Sequence, residues 1–350
     1  MMRICQICHL FYPHTGGVET HVYEISKRLA EKFDVEVITT DPTGKLKSKE
    51  EIEGFTVRRF RSYAPSEAYY FSPALYQYLK KNSDKYDVIH AHNYHAFPAL
   101  FAALAKGKRK FVFTPHYHSR GGSSLRSVLL KFYKLLGALA FRMADAVILV
   151  SDFERELVRR DFGVDGVVIP NGIDLSRIER AKPFETSERI IFYIGRLEKY
   201  KNVQPVIEAM KFLDDFMFYI AGSGSYENEL KTLAKKNGVE ERVRFLGFVS
   251  EEEKYRWLKA CSVFVNLSSL EAFGITVLEA LACGKPAIVS GEGALREFAE
   301  FEGVFAVNKI NPEELARTIR KVAEIKGRAD VRDYDWRNVV DRIIAEVYLR

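Results

Sequence analysis

Short β-branched and aromatic runs alternate with helical patterns in two successive series, and that alternation admits few architectures. Runs at residues 4–10, 35–40, 57–60, 88–92, 111–116, 147–151 and 167–170 form the first series, and runs at 190–194, 216–221, 243–246, 263–267 and 287–290 form the second. Strands that alternate with helices predict a parallel sheet covered by helices, so two series predict two α/β sheets in tandem. The polar, proline-flanked stretch from Pro170 to Glu188 reads as their connection. With 350 residues, each half is long enough to bury a core of its own. Near the end of the chain Trp336, Val339, Val340, Ile343, Ile344 and Val347 fall on one helical face, which another part of the chain must cover.

The four cysteines make no disulfide framework. Cys5 and Cys8 form a C-x-x-C inside an apolar run that reads as a strand, where a spacing of three sends the side chains to opposite faces. They are expected to be buried thiols. No stretch approaches the ~20 apolar residues that span a bilayer, and the N-terminus lacks a basic region followed by a long apolar run, so a cytoplasmic protein is expected. The net charge of +6 is uneven. Residues 1–172 carry 25 Lys and Arg against 18 Asp and Glu, whereas residues 173–350 carry 28 against 29. Attraction to anions therefore belongs to the first half.

In open α/β sheets, ligands collect beyond the carboxyl ends of the strands, and the chemistry-bearing residues fall there. Glu271-Ala-Phe273-Gly274-Ile-Thr-Val-Leu-Glu279 holds two carboxylates eight residues apart around a turn that should open a helix. Its free N–H groups suit phosphate, and its carboxylates suit sugar hydroxyls. Gly195-Arg196-Leu-Glu-Lys199-Tyr-Lys201 follows the first strand of the second series. It reads either as a solvated basic loop or as cations that neutralise a departing diphosphate. Gly16-Gly17 and Gly222-Ser-Gly224 are places where backbone can approach an oxyanion, although Gly-Gly is also a common turn and Gly16-Gly17 has the spacing of neither a Rossmann fingerprint nor a P-loop. Five histidines, His90, His92, His95, His116 and His118, follow or end two adjacent expected strands. Lacking a cysteine pair or carboxylate at ligand spacing, they read as polar lining of a ligand cleft and not as a metal site. Asp333-Tyr-Asp335 immediately precedes the last helix and reads as its cap.

Together, Gly16-Gly17-Val-Glu19, Pro170-Asn-Gly-Ile-Asp174, Gly195-Arg196-Leu197 with Lys201, and Glu271 through Glu279 to Gly284-Lys-Pro286 resemble, in order and spacing, the retaining glycosyltransferases of family 4. The resemblance runs from the first strand to the last helix, and the Glu-x7-Glu segment is its most specific part. It implies the GT-B fold: two Rossmann-like domains with parallel sheets facing a central cleft. Their expected bounds are 1–180, binding acceptor, and 181–332, binding nucleotide sugar, with a C-terminal helix at 333–350 crossing back to the first domain. It further implies that Arg196 and Lys201 hold the donor diphosphate, helped by backbone at Gly16, Gly17 and Gly224. Glu271, Phe273 and Gly274 would hold the donor sugar, Glu279 the ribose, and His116 would touch the sugar. The base would lie near Val249. Glu271, Arg196, Lys201 and His116 would carry catalysis, with no metal and no cofactor beyond the nucleotide-diphosphate sugar.

Residues 125–143 read as a helix, with Arg126, Lys131, Lys134 and Arg142 on one side and Leu129, Phe132, Leu136, Leu139 and Met143 facing the core. Leu130 and Phe141 fall among the basic residues, a pattern that suggests an anionic membrane surface, the other reading being a core helix with a basic outer face. Tyr63, Tyr69, Tyr70, Phe71, Tyr76 and Tyr78 either line an acceptor groove or pack. The expected reaction moves a hexose from a UDP- or GDP-sugar to a lipid or lipid-linked glycan. The alternatives are a soluble acceptor, such as a sugar phosphate, polyol or polysaccharide, and a non-catalytic scaffold of the same fold. No recognition motif for nucleic acid is present.

Overall fold

A computed structural model describes the whole chain except residues 66–68, 119–133, 135, 309–310, 326 and 328. The chain forms two compact units, Met1–Gly172 with Trp336–Arg350, and Ile173–Asp335.

The first unit is an eight-stranded sheet. Its strands are β1 (Arg3–Ile7), β2 (Asp34–Asp41), β3 (Lys49–Ile52), β4 (Phe55–Arg61), β5 (Val88–His92), β6 (Lys110–Thr114), β7 (Ala146–Leu149) and β8 (Val167–Val168), in the spatial order 3-4-2-1-5-6-7-8. Every pairing is parallel except β3 with β4. That hairpin was not expected, because Lys-Glu-Glu-Ile lacks the β-branched signature and forms only a charged edge. Its turn uses Glu53 and Gly54 at φ of +46° and +86°, as a tight hairpin requires. Helix α1 (Gly17–Ala30) buries Val22, Ile25 and Leu29 on one face of the sheet. The terminal helix Trp336–Ile343 joins the same core through Trp336, Val339, Val340 and Ile343. Its anticipated apolar stripe is therefore covered within the first unit. Cys5 and Cys8 are buried, and burial pushes both thiols up.

The second unit is a six-stranded parallel sheet: β9 (Arg189–Ile194), β10 (Phe216–Ala221), β11 (Val243–Gly247), β12 (Val263–Asn266), β13 (Ala287–Ser290) and β14 (Val304–Val307), in the order 11-10-9-12-13-14. The edge strand β14 went unanticipated because its four residues lack a long apolar run. Leaving aside the antiparallel edge strand β3, the strand order reverses once in each sheet, between β1 and β5 and between β9 and β12. Such switch points are where doubly wound sheets open for ligands.

The face assigned to the helix around residues 136–143 needs correction. Phe141 is buried against Phe113 and Phe162, whereas Leu136 and Leu139 are exposed. The close-packed position is Gly137, where a Cβ would stand 2.4 Å from the Tyr94 ring. Close approach there turns Ala140 and Phe141 inward and Leu139 outward. Arg126, Leu129, Leu130, Lys131 and Phe132 lie outside the described residues. Among the described residues, no helix is long and apolar enough to cross a membrane.

Candidate functional site

At the β9/β12 switch point of the second unit, two loops are stitched together. The loop after β9 ends in a short turn, Lys199–Lys201, closed by Asn202 in the left-handed region at φ +52°. The Asn202 amide donates to the Leu267 carbonyl at 2.9 Å, and the Ser269 N–H and hydroxyl both donate to the Tyr200 carbonyl, at 3.0 and 3.2 Å. These bonds bring Lys201 Nζ within 2.5 Å of Glu271 Oε1. Lys199 is exposed, so of the two lysines Lys201 is the one held against the acidic loop. Arg196 is also exposed, its guanidinium donating to the Tyr200 hydroxyl at 2.9 Å, while its carbonyl accepts from Tyr193 at 3.0 Å.

Neighbouring turns come close because glycine permits it. A Cβ on Gly222, whose φ is +112°, would lie 2.0 Å from the Gly195 carbonyl oxygen. One on Gly224 would lie 2.3 Å from that of Leu197. Val249 sits in the loop between β11 and helix α2 (Glu251–Ala260). A capping box fixes the start of that helix: the Ser250 N–H donates to Glu253 Oε2 at 2.8 Å, and the Glu253 N–H donates to Ser250 Oγ at 3.2 Å.

Helix α3 (Ile275–Ala282) begins at Gly274, φ +142°, with no side-chain cap. A Cβ there would strike Leu295 at 2.7 Å. First-turn N–H groups have no intrahelical acceptor, so this end offers donors and a positive dipole. The Phe273 ring is buried edge-on against Phe298 at 5.4 Å, so only its backbone is available to a ligand.

One turn into α3, Glu279 is buried. Its Oε1 accepts from Lys254 Nζ at 2.6 Å and from the Tyr255 hydroxyl at 3.2 Å, while its Oε2 has no partner. Burial pushes the Glu279 carboxyl up against the pull of Lys254. Burial also opposes the charge on Lys254, but Glu279 and Glu251 outweigh it and hold the ammonium above its ordinary range. A buried carboxylate with one oxygen unfilled is costly by itself and suits a ligand hydroxyl. Lys254 and Tyr255 escaped the reading of the sequence. Their only signal is that they sit beside Leu258 on the buried face of α2.

In the first unit, Gly16 caps α1 in an extended conformation without a side-chain cap. Glu19 folds back over this end, so that a Cβ on Gly16 would lie 2.3 Å from its Oε2, and His9 Nε2 stands 3.3 Å from Oε1. Gly17 has open space around its Cβ position. Any anion approaching α1 thus meets the positive end of the helix and a carboxylate together.

Of the five histidines, His90, His92 and His116 are buried, whereas His95 and His118 keep some surface. His90 and His92 are fully buried on β5, and His116 lies two residues past β6 at φ +47°. His90 is held between Tyr348 at 2.7 Å and Thr114 at 2.8 Å, and His95 stacks on His118. Burial keeps His90, His92, His95 and His116 well below the usual imidazole range. Of the tyrosines, Tyr70 is buried on His9, Tyr76 packs on Phe101 and Tyr78 on Phe60, while Tyr63 and Phe71 keep exposed surface. Asp335 accepts the Leu175 N–H at 3.4 Å. It thereby ties the two ends of the second unit together.

A family model described as Glycosyltransferase Family 4 matches residues 15–177, and one described as Glycosyl transferases group 1 matches residues 176–335. GDP-mannose:cellobiosyl-diphosphopolyprenol alpha-mannosyltransferase of Xanthomonas oryzae pv. oryzae is 26% identical, over 99% of this chain and 97% of that protein. The structure of sucrose-phosphate synthase from Thermosynechococcus elongatus superposes with a TM-score of 0.82 at 19% identity, covering 100% of this chain and 98% of that one. HepE of Anabaena, in complex with UDP and glucose, gives 0.80 at 19% identity and 99% of both chains. Two consecutive family matches and a fold that superposes end to end lead to one assignment: the chain is a glycosyltransferase of family 4, with the GT-B fold.

Proposed function

We propose that the protein is a retaining glycosyltransferase that moves a hexose from a nucleoside diphosphate sugar to a hydroxyl of a lipid or lipid-linked glycan. The observation that carries this reading is the Lys201–Glu271 pair at the β9/β12 switch point, beside an uncapped helix start. A bound diphosphate would take Lys201 and Arg196, leaving Glu271 for the sugar hydroxyls. The unpartnered Oε2 of Glu279 suits a ribose hydroxyl. Arg196, Lys201 and the α3 end supply charge at the diphosphate of the kind a divalent cation supplies elsewhere, so turnover in chelator is expected.

In the reaction, the anomeric carbon–oxygen bond to the diphosphate breaks as the acceptor oxygen bonds to the same face. The acceptor proton passes to the departing phosphate oxygen, and the nucleoside diphosphate leaves. His116 in the first unit is proposed to touch the donor sugar, and backbone at Gly16 and Gly17 the phosphate.

The lipid acceptor rests on two supports. The Xanthomonas relative is named for a diphosphopolyprenol acceptor. The first unit also carries an exposed apolar and basic surface, with Leu136 and Leu139 beside Arg142. A separate concavity of about 690 Å³ is lined by five basic residues, Lys106, Lys108, Arg109, Lys110 and Arg350, against two acidic ones, Asp145 and Glu346. Such surfaces favour peripheral attachment to an anionic membrane, and a cytoplasmic-face location belongs to the same proposal.

The test supplies the chain with UDP- and GDP-hexoses, with and without a polyprenyl-diphosphate-linked sugar, and measures nucleoside diphosphate release and label extracted into organic solvent. Acceptor-dependent release with extractable, α-configured product from an α-donor is expected. Product confined to the aqueous phase would move the acceptor to the soluble class. No release with any donor and acceptor would overturn the catalytic reading.

A further inference from the structure

His21, His92 and His116 each present a ring nitrogen to one shared space, the three atoms lying within 4.8 Å of one another. The side chains come from α1, from the last residue of β5 and from just beyond β6. His21 Nε2, His92 Nδ1 and His116 Nε2 are all buried and have no hydrogen-bond partner.

Two of the three rings are held at their other nitrogen. His21 Nδ1 lies 2.6 Å from the Asn171 amide oxygen, and His92 Nε2 lies 2.7 Å from the Gln6 amide oxygen. An amide oxygen only accepts, so these two ring nitrogens carry the hydrogens, and Nε2 of His21 and Nδ1 of His92 are lone pairs. The Gln6 amide is itself oriented: its nitrogen donates to the Tyr348 hydroxyl at 2.9 Å. Tyr348 in turn stands 2.7 Å from His90 Nδ1, and His90 Nε2 lies 2.8 Å from Thr114 Oγ1. Imidazoles whose outer edge donates to a carbonyl oxygen while the inner edge stays bare have the arrangement that metal ligands adopt. The ring of Trp336 lies edge-on to His21 at 5.6 Å and helps close the space. His116 holds its place from a left-handed backbone conformation, φ +47°, which persists only where the surroundings compensate it.

We propose that His21, His92 and His116 form a buried binding site for a divalent transition-metal ion of the zinc class, with a fourth position left for water. Three neutral imidazoles suit zinc, cobalt, nickel or copper better than magnesium or calcium, which prefer oxygen. Binding would draw the three nitrogens together to about 3.3 Å from one another, as metal–nitrogen bonds of about 2.0–2.1 Å in a tetrahedral site require. The site shares His116 with the sugar contact proposed above, so its test reads metal binding directly and not turnover. Read from the sequence, His92 and His116 are cleft lining and His21 is not singled out; His95 stacks on His118 and takes no part.

The competing occupant is one buried water that donates to His21 and His92 and accepts from His116. The experiment uses the full chain without an affinity tag. Bound metal is measured by mass spectrometry as purified. After stripping with chelator, Co²⁺ is titrated while its visible d–d absorption is followed, and Zn²⁺ is then used to displace it. One equivalent of Co²⁺ with tetrahedral-type absorption, displaced by Zn²⁺, and a melting temperature that rises with metal are expected. His92→Gln should abolish the absorption. Asn171→Ala, which removes only the outer partner of His21, should weaken Co²⁺ affinity by about 10–100-fold and serves if His92→Gln does not fold. Absence of stoichiometric binding by the wild type, or binding that survives both substitutions unchanged, overturns the proposal.

Discussion

Lys201 Nζ and Glu271 Oε1, separated by 70 residues of sequence, stand 2.5 Å apart at the carboxyl ends of β9 and β12. The pair is only partly shielded from water, with 12% and 22% of the two side chains accessible. It can therefore open to a ligand without stranding a buried charge. Replacing Lys201 with Ala is expected to lower kcat by about 10²–10³-fold, the scale for loss of one preorganised group at developing charge. Glu271→Gln should leave donor affinity nearly intact while reducing kcat. Initial rates together with calorimetric binding of the donor separate the two effects. Full activity in Glu271→Gln would remove that residue from the mechanism.

The Lys254–Glu279 pair is a different kind of contact, because both partners are buried. Removing only the cation by Lys254→Met should destabilise the protein by about 3–5 kcal/mol, since Glu279 would be left uncompensated. The double replacement Lys254→Met with Glu279→Leu should recover most of that loss while abolishing donor binding. Urea denaturation measures both, and a loss below about 1 kcal/mol for the single variant would contradict the burial argument.

Glycine substitutions should divide by what a methyl group would meet. Gly222→Ala places a Cβ 2.0 Å from a backbone oxygen at φ +112°, and should cost well over 1 kcal/mol. Gly17→Ala meets nothing within 4 Å and should leave the melting temperature unchanged. A rise in donor KM for Gly17→Ala at unchanged stability is the expected sign that a phosphate approaches α1. An unchanged KM would assign those glycines to the turn alone.

Stability should fall in mild acid. His9 is held down to about 4 by burial and by nearby His14, and His95 well below its ordinary value by burial and His118. The unfolded chain takes up these protons near pH 6.5 while the folded chain refuses them, so it binds more protons at intermediate pH. The contribution is complete above about pH 6.5 and is lost as pH drops towards about 4, at up to about 1.4 kcal/mol per pH unit per histidine. Melting temperatures recorded from pH 7.5 to 4.5 in chelator check the direction. A flat profile would mean the rings are hydrated in the fold.

Much of the arrangement of the loops at the β9/β12 switch point is legible in the chain itself. The β-branched runs mark the central strands because such residues suit a pleated, buried surface, and Glu271, Gly274 and Glu279 lie next to one another along one turn and one helix. The edge strands β3 and β14 escaped notice, being short and, in β3, charged. Leu136, Leu139 and Phe141 were assigned to the wrong faces because helical spacing gives a periodicity without saying which side meets the sheet. Gly137 against Tyr94 decides that.

Local sequence determined the two α/β sheets, the apolar face of the last helix and the acidic segment that opens α3, since each depends on residues within a few positions of one another. Only the tertiary structure decided that Lys201 rather than Lys199 meets Glu271, and that Lys254 and Tyr255 hold one oxygen of Glu279 and leave the other free. It alone brings together His21, His92 and His116 from three separate elements. Those relationships come from strand order and from bonds between distant loops, and no spacing along the chain encodes the distance between residues that pack from different strands.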